Sequence, residues 1–155
     1  AFAYGALRPP PSLASGTHLR VVQPDNPQSE KSQPDYMRRL WTRLTALTFG
    51  PGSESVDVFV WPEGVIAFLD ESPEALSIIG EQMRPGQVLL AGSARRELRN
   101  EGGSRYYNAL LAIDADGRVE AVYDKTHLVP FGEYLPFPDA FRALGIASLV
   151  ALRGS

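Results

Sequence analysis

The run Val56-Asp-Val-Phe-Val-Trp61 limits the possible folds more than any other part of this chain. Every side chain in it except Asp57 is apolar, on odd and even positions alike. A strand of that kind offers apolar groups to both of its faces, so it belongs inside a sheet covered on both sides. The flanking sequence supplies helices to do the covering. Met37, Leu40, Trp41, Leu44 and Leu47 recur at helical spacing with Arg38, Arg39 and Arg43 between them, and Gly50-Pro-Gly52 stops the helix. Ser72-Pro73-Glu74 opens a second helix with a serine cap, a proline in the first turn and an acid near the positive end of the dipole. That helix is expected to run to about Met83, where Arg84-Pro-Gly86 ends it.

Four more strands follow from the same reading. Leu19 to Gln23 is halted by Pro24 and Pro27, and Val88 to Ala91 follows the second helix. Tyr107 to Ile113 and Val119 to Tyr123 flank Asp114-Ala-Asp-Gly117, a hairpin turn in which Gly117 can take positive φ. The order strand, helix, strand, helix, strand, strand, strand starts as an α/β unit and then turns antiparallel. It predicts an α/β fold with a mixed sheet and helices packed on it. The charge run Arg95-Arg-Glu-Leu-Arg99 reads as solvated surface, and residues 8–16 read as a Pro/Ser/Gly linker before ordered structure begins near Thr17.

Composition narrows the function. A chain of 155 residues is long enough for one domain with a real core. Its net charge of −3 gives bulk electrostatics no grip on nucleic acid, so no nucleic-acid partner is expected. It has no cysteine, which excludes disulfides, thiolate metal sites and a cysteine nucleophile within these residues. His18 and His127 have no partners at zinc-ligand spacing, so a zinc site is not expected, and no phosphate-binding glycine loop is present. No segment approaches the roughly 20 apolar residues that span a bilayer. The apolar opening Ala1 to Leu7, ahead of Arg8-Pro-Pro-Pro11, fits a loose terminus or the tail of a preceding membrane helix.

The chemistry-bearing residues stand at strand ends, where open α/β sheets bind their ligands. Trp61-Pro-Glu63 delivers a glutamate just past one strand, and Tyr123-Asp-Lys125 delivers a lysine just past another. Glu133 follows eight positions after Lys125, on a loop held by Pro130, Gly132 and Pro136. If the two strands are neighbours, Glu63 and Lys125 can converge. A carboxylate beside a nucleophile can take its proton and later return it. An ammonium can stabilise the oxyanion formed on a carbonyl, and a second carboxylate can orient it. Taken singly, each residue reads better as an inert exposed charge.

Together these residues resemble the nitrilase, or carbon–nitrogen hydrolase, superfamily, whose Glu–Lys–Cys triad sits in an α-β-β-α sandwich. The wording Val22-Gln-Pro24, Pro27-Gln28, Lys31, Trp61-Pro-Glu63, Tyr107-Asn108, Tyr123-Asp-Lys125 and His127-Leu-Val-Pro-Phe-Gly-Glu-Tyr134 is similar to its lipoprotein-acylating N-acyltransferase branch. The resemblance covers about residues 19–140. It implies that 17–155 is the N-terminal portion of a nitrilase-like catalytic domain and that 1–16 links it to a preceding transmembrane helix. It implies Glu63 as general base, Lys125 as triad lysine and Glu133 as an auxiliary glutamate, with the nucleophilic cysteine some tens of residues further on. By itself the 155-residue piece is then expected to be inactive and to fold marginally.

The same resemblance implies an enzyme of the bacterial inner membrane with this domain facing the periplasm. Its acyl donor would be a phospholipid and its acceptor a diacylglyceryl apolipoprotein, joined through a cysteine thioester, with no metal or organic cofactor needed. Two positions depart from the branch pattern: Ser32 replaces a tryptophan, and Asp25-Asn26 alters the loop after Pro24. The apolar run Leu144 to Leu152 fits either a membrane-proximal arm or a core segment. A soluble nitrilase-type amidase and a non-catalytic nitrilase-like binding domain are the alternative readings.

Overall fold

The computed structural model describes residues 16–25, 27–30, 33–99 and 103–126. Five strands form one sheet: β1 (Leu19–Val21), β2 (Val58–Val60), β3 (Val88–Leu98), β4 (Ser104–Ile113) and β5 (Val119–Asp124). They lie side by side in chain order. β1, β2 and β3 are parallel, and β4 and β5 add antiparallel. Helices α1 (Tyr36–Phe49) and α2 (Pro73–Gln82) make the two crossovers. Because both crossovers step the same way along the sheet, the right-handed rule puts both helices on one face. The α/β class and the mixed sheet are as the sequence predicts.

Alternation along the strands sorts the side chains. Phe59, Leu89 and Ile113 lie in register on the helix face, as do Ala91 with Leu111 and Ser93 with Ala109, and all of them are buried. Leu40 and Leu44 of α1 and Ile79 of α2 belong to the same cluster. Phe49 meets Phe59 edge-on at 5.4 Å, and Trp41 meets Trp61 edge-on at 6.0 Å. On the opposite face Val58, Val60, Val88 and Leu90 are only half-buried, and Leu19, Val21, Leu110 and Tyr123 are exposed. The sequence puts β2 under cover on both sides; among the described residues only the helix side is fully covered.

Three other expectations are corrected. β3 continues to Leu98, past the expected end at Ala91, so the charge run at 95–99 is largely strand; residues 96–99 are exposed as expected, while Arg95 pairs with Asp124 and Arg96 with Glu71. The charges are tolerated because β3 and β4 project past the shorter strands as a two-stranded arm. Ser72 stands at the N-cap of α2, yet its side chain makes no capping hydrogen bond; its carbonyl instead accepts Leu76 N–H at 3.1 Å. β2 is shorter than expected, Val58–Val60; Asp57 just before it accepts the His18 backbone N–H on Oδ2 at 2.6 Å while its own backbone bonds to His18 O and Val88 N–H. Glu133, His127, Asn26, Ser32 and the run Leu144 to Leu152 lie outside the described residues.

Two local devices fix the frame around the site. Arg20 of β1 donates to the carbonyls of Thr48 (2.9 Å) and Gly50 (3.1 Å), satisfying the C-terminus of α1. The β4–β5 turn closes on Asp114, whose Oδ1 accepts N–H bonds from Arg118 (2.8 Å) and Asp116 (2.9 Å). Those bonds, Arg118's first, hold its carboxyl below the usual carboxylate range. Gly117 takes φ 74° there, and a Cβ on it would lie 2.4 Å from the Leu76 carbonyl of α2. The turn therefore packs directly on the helix.

Candidate active site

Trp61 sets the path of the chain as it leaves β2. Its indole N–H donates to Thr48 Oγ1 at 2.8 Å, and that hydroxyl donates in turn to Leu44 O at 2.6 Å, all of it buried. The Trp61 backbone N–H donates to Leu90 O at 2.8 Å. Pro62 and Glu63 then lie flat on β3 at Gly92. A Cβ at 92 would meet Pro62 O at 2.5 Å and Glu63 Cα at 2.6 Å, so the close approach requires glycine.

Lys125 arrives from the other side. It stands one residue past the last ladder pair of β5, Ala109 with Asp124, and its backbone N–H donates to Asn108 O at 2.7 Å. Its Nζ reaches Glu63 Oε1 at 3.0 Å. Asn108, on β4, donates its side-chain N–H to the same Oε1. Two of the three residues singled out from the sequence are thus brought together by elements 62 positions apart in the chain. The third, Glu133, is outside the described residues.

The pair sits at the rim of a cleft of about 250 Å³ lined by Trp61, Gly92, Ala109, Leu110 and Tyr123 as well as the three polar groups. Its walls are mostly apolar and its polar groups converge at one end, the common form of a small-molecule site. Both donors engage Oε1, so among the described residues Oε2 accepts no hydrogen bond and is open to take a proton. The ammonium and the carboxamide hold the carboxylate at a fixed angle, and the ammonium also offers its charge to an anionic oxygen entering the cleft. Among the described residues no group of His, Cys, Asp or Glu has metal-binding geometry.

Sequence reasoning quoted Asn108 only as part of a motif and missed its contact. The available signal was a carboxamide inside the apolar run Tyr107 to Ile113, where a polar side chain needs a partner. Nothing local marked Gly92, since the close approach it permits is made by a distant segment.

Residues 19–150 match the carbon-nitrogen hydrolase family. Among curated relatives, the chain is 44% identical over 141 residues to the apolipoprotein N-acyltransferase of Brucella suis, covering 88% of this chain and 26% of that protein. It is 41% identical over 147 residues to the protein of the same name from Sinorhizobium medicae, covering 92% and 28%. For the one from Agrobacterium fabrum the identity is 39% over 161 residues, covering 99% and 30%. The chain thus spans under a third of the length of these relatives. A crystal structure of an N-terminal amidase shares the fold, with a TM-score of 0.50 at 24% identity over 72% of this chain and 28% of that one.

Proposed function

The chain belongs to the carbon-nitrogen hydrolase family, and on that premise we propose that it carries the Glu–Lys portion of the active site of an apolipoprotein N-acyltransferase. One observation carries the reading: Glu63 and Lys125 meet at 3.0 Å on the rim of an apolar cleft. The identities of 39–44% to proteins of that name support the substrate class.

In this reading a cysteine thiol from outside these residues enters beside Glu63. Oε2 takes the thiol proton, and the thiolate attacks the ester carbonyl of a phospholipid. Lys125 stabilises the oxyanion. Collapse expels the lysophospholipid alkoxide, which recovers the proton from Glu63, and leaves an acyl thioester. The α-amino group of a diacylglyceryl apolipoprotein then attacks the thioester, Glu63 accepts its proton, and the thiol is released as the amide forms. Glu133 serves as an auxiliary carboxylate toward Lys125. The enzyme works at the bacterial inner membrane with this domain on the periplasmic side. Among the described residues no helix is long and apolar enough to cross a membrane, and in this reading the spanning helices belong to the rest of the protein.

The test is made in the full-length protein. Glu63→Gln removes the proton acceptor and is expected to lower acyl transfer by about 100-fold or more. Lys125→Ala is expected to lower it by a similar factor. Transfer from a radiolabelled phospholipid to a diacylglyceryl-cysteinyl peptide is the readout. Wild-type rates in both variants would dismiss the assignment.

A further inference from the structure

β5 is the outermost strand of the described sheet, hydrogen-bonded only to β4. Lys125 stands beyond its last paired residue, a position where an edge strand frays. Even so, its ammonium is held within 3.0 Å of Glu63. One backbone bond, Lys125 N–H to Asn108 O at 2.7 Å, continues the pairing past Asp124, and a side-chain fork one residue back adds to that hold.

Asp124, the preceding residue, is gripped from two strands away. Arg95 of β3 reaches over β4 and places both prongs of its guanidinium on the carboxylate, Nε to Oδ1 at 3.0 Å and Nη2 to Oδ2 at 2.5 Å. The span is roughly 10 Å, two strand spacings. Tyr107, paired with Arg95 in the ladder, lies beneath, its ring centroid 4.7 Å from the guanidinium. The Tyr107 hydroxyl donates to Glu97 at 2.6 Å, which fixes the ring. This ion pair is also the least exposed among the described residues, with side chains 21% and 31% exposed. The pairs Arg38–Asp35 and Arg118–Asp116 are solvated by comparison.

Alternation gives the fork its consequence. With Asp124 pinned to the helix face, the next side chain must leave from the opposite face. That is the face on which Glu63 lies over Gly92. We propose that Arg95 is a positioning residue: through Asp124 it locks the end of β5 and aims Lys125 at Glu63. The inference rests on the reading of Lys125 given above.

The experiment uses the full-length protein in detergent micelles, with a phosphatidylethanolamine donor and a diacylglyceryl-cysteinyl peptide acceptor. Arg95→Gln and Asp124→Asn are expected to lower kcat about 100-fold, the scale of a 1 Å misplacement, with KM within about twofold. Arg95→Lys is expected to recover only part of the loss, because an ammonium cannot make the fork. The exchanged pair R95D/D124R is expected to regain at least tenfold over R95Q, which a loss of general stability cannot explain. Melting temperatures measured in parallel identify any variant that fails to fold. Wild-type kcat in R95Q while K125A is inactive would overturn the positioning role and leave the reading of Lys125 intact. Wild-type kcat in K125A would remove that reading and the positioning role with it. A fall in kcat that tracks the folded fraction, with no recovery in the exchanged pair, would reduce Arg95 to a structural residue and also overturn the proposal.

Discussion

At the residue scale, the candidate site depends on an absence as much as on its charged groups. Glu63 can lie against the sheet because position 92 has no side chain. A methyl group there would meet Pro62 O and Glu63 Cα at about half an ångström less than any real contact tolerates. Gly92 belongs to the continuous strand β3, whose backbone cannot yield without breaking its ladder with β4. The turn bearing Glu63 is the part that must move. Gly92→Ala in the full-length protein is therefore expected to lower acyl transfer by about tenfold to 100-fold through misplacement of the carboxylate. A crystal structure of the variant should show Glu63 drawn back from Lys125. Unaltered rates would mean that the carboxylate does not need to lie this close to β3. Asn108 and Lys125 share Oε1 of the same side chain, so the displacement breaks both contacts together.

At the element scale, α1 holds the strand end from which Glu63 departs. Thr48, in its last turn, is fully buried and passes a hydrogen bond from the Trp61 indole to the Leu44 carbonyl. Threonine is tolerated inside this helix because its hydroxyl bonds four residues back. Thr48→Val keeps the shape and strips the acceptor, leaving a buried indole N–H without a partner. The expected cost is about 1–3 kcal/mol, read as a lower urea midpoint with unchanged slope. Trp61→Phe in the same background should recover part of it, since the orphaned donor is then gone. The crossing is made specific by aromatic contacts on both sides of this bond: Trp41 on Trp61 and Phe49 on Phe59. The second pair of elements, β3 and β4, behaves differently. Its free arm is held by ion pairs and by Phe68 against Tyr106 at 6.0 Å rather than by core packing.

At the scale of the whole molecule, the two faces of the sheet differ: among the described residues the helix face is sealed and the opposite face carries exposed apolar side chains. Helices seal Phe59, Leu89, Leu111 and Ile113 completely, while Leu19, Val21, Leu110 and Tyr123 remain exposed on the far side, Val21 by 73%. Exposed apolar area on a strand edge promotes association. The 155-residue chain studied alone is expected to self-associate with concentration in sedimentation velocity, and Leu19→Lys with Val21→Lys is expected to shift it toward monomer. A wild-type monomer throughout the micromolar range would contradict this. The order of elements, the mixed sheet, the hairpin at Gly117 and the two strand-end residues Glu63 and Lys125 were all legible in the sequence. Each is written in local signals: apolar period, turn residues, and charges placed after apolar runs. The reach of β3 through Arg95–Leu98 was not legible, because a charge run does not read as strand until Asp124 and Glu71 arrive from elsewhere in the chain to pair with Arg95 and Arg96. Nor was the contact of Glu63 with Asn108, or the need for glycine at 92. Sequence by itself determined which groups stand at strand ends. Only tertiary structure decided that two of them meet, with Asn108 on the same carboxylate oxygen, since that depends on strand order and register, which are set by burial of the whole sheet rather than by any one segment.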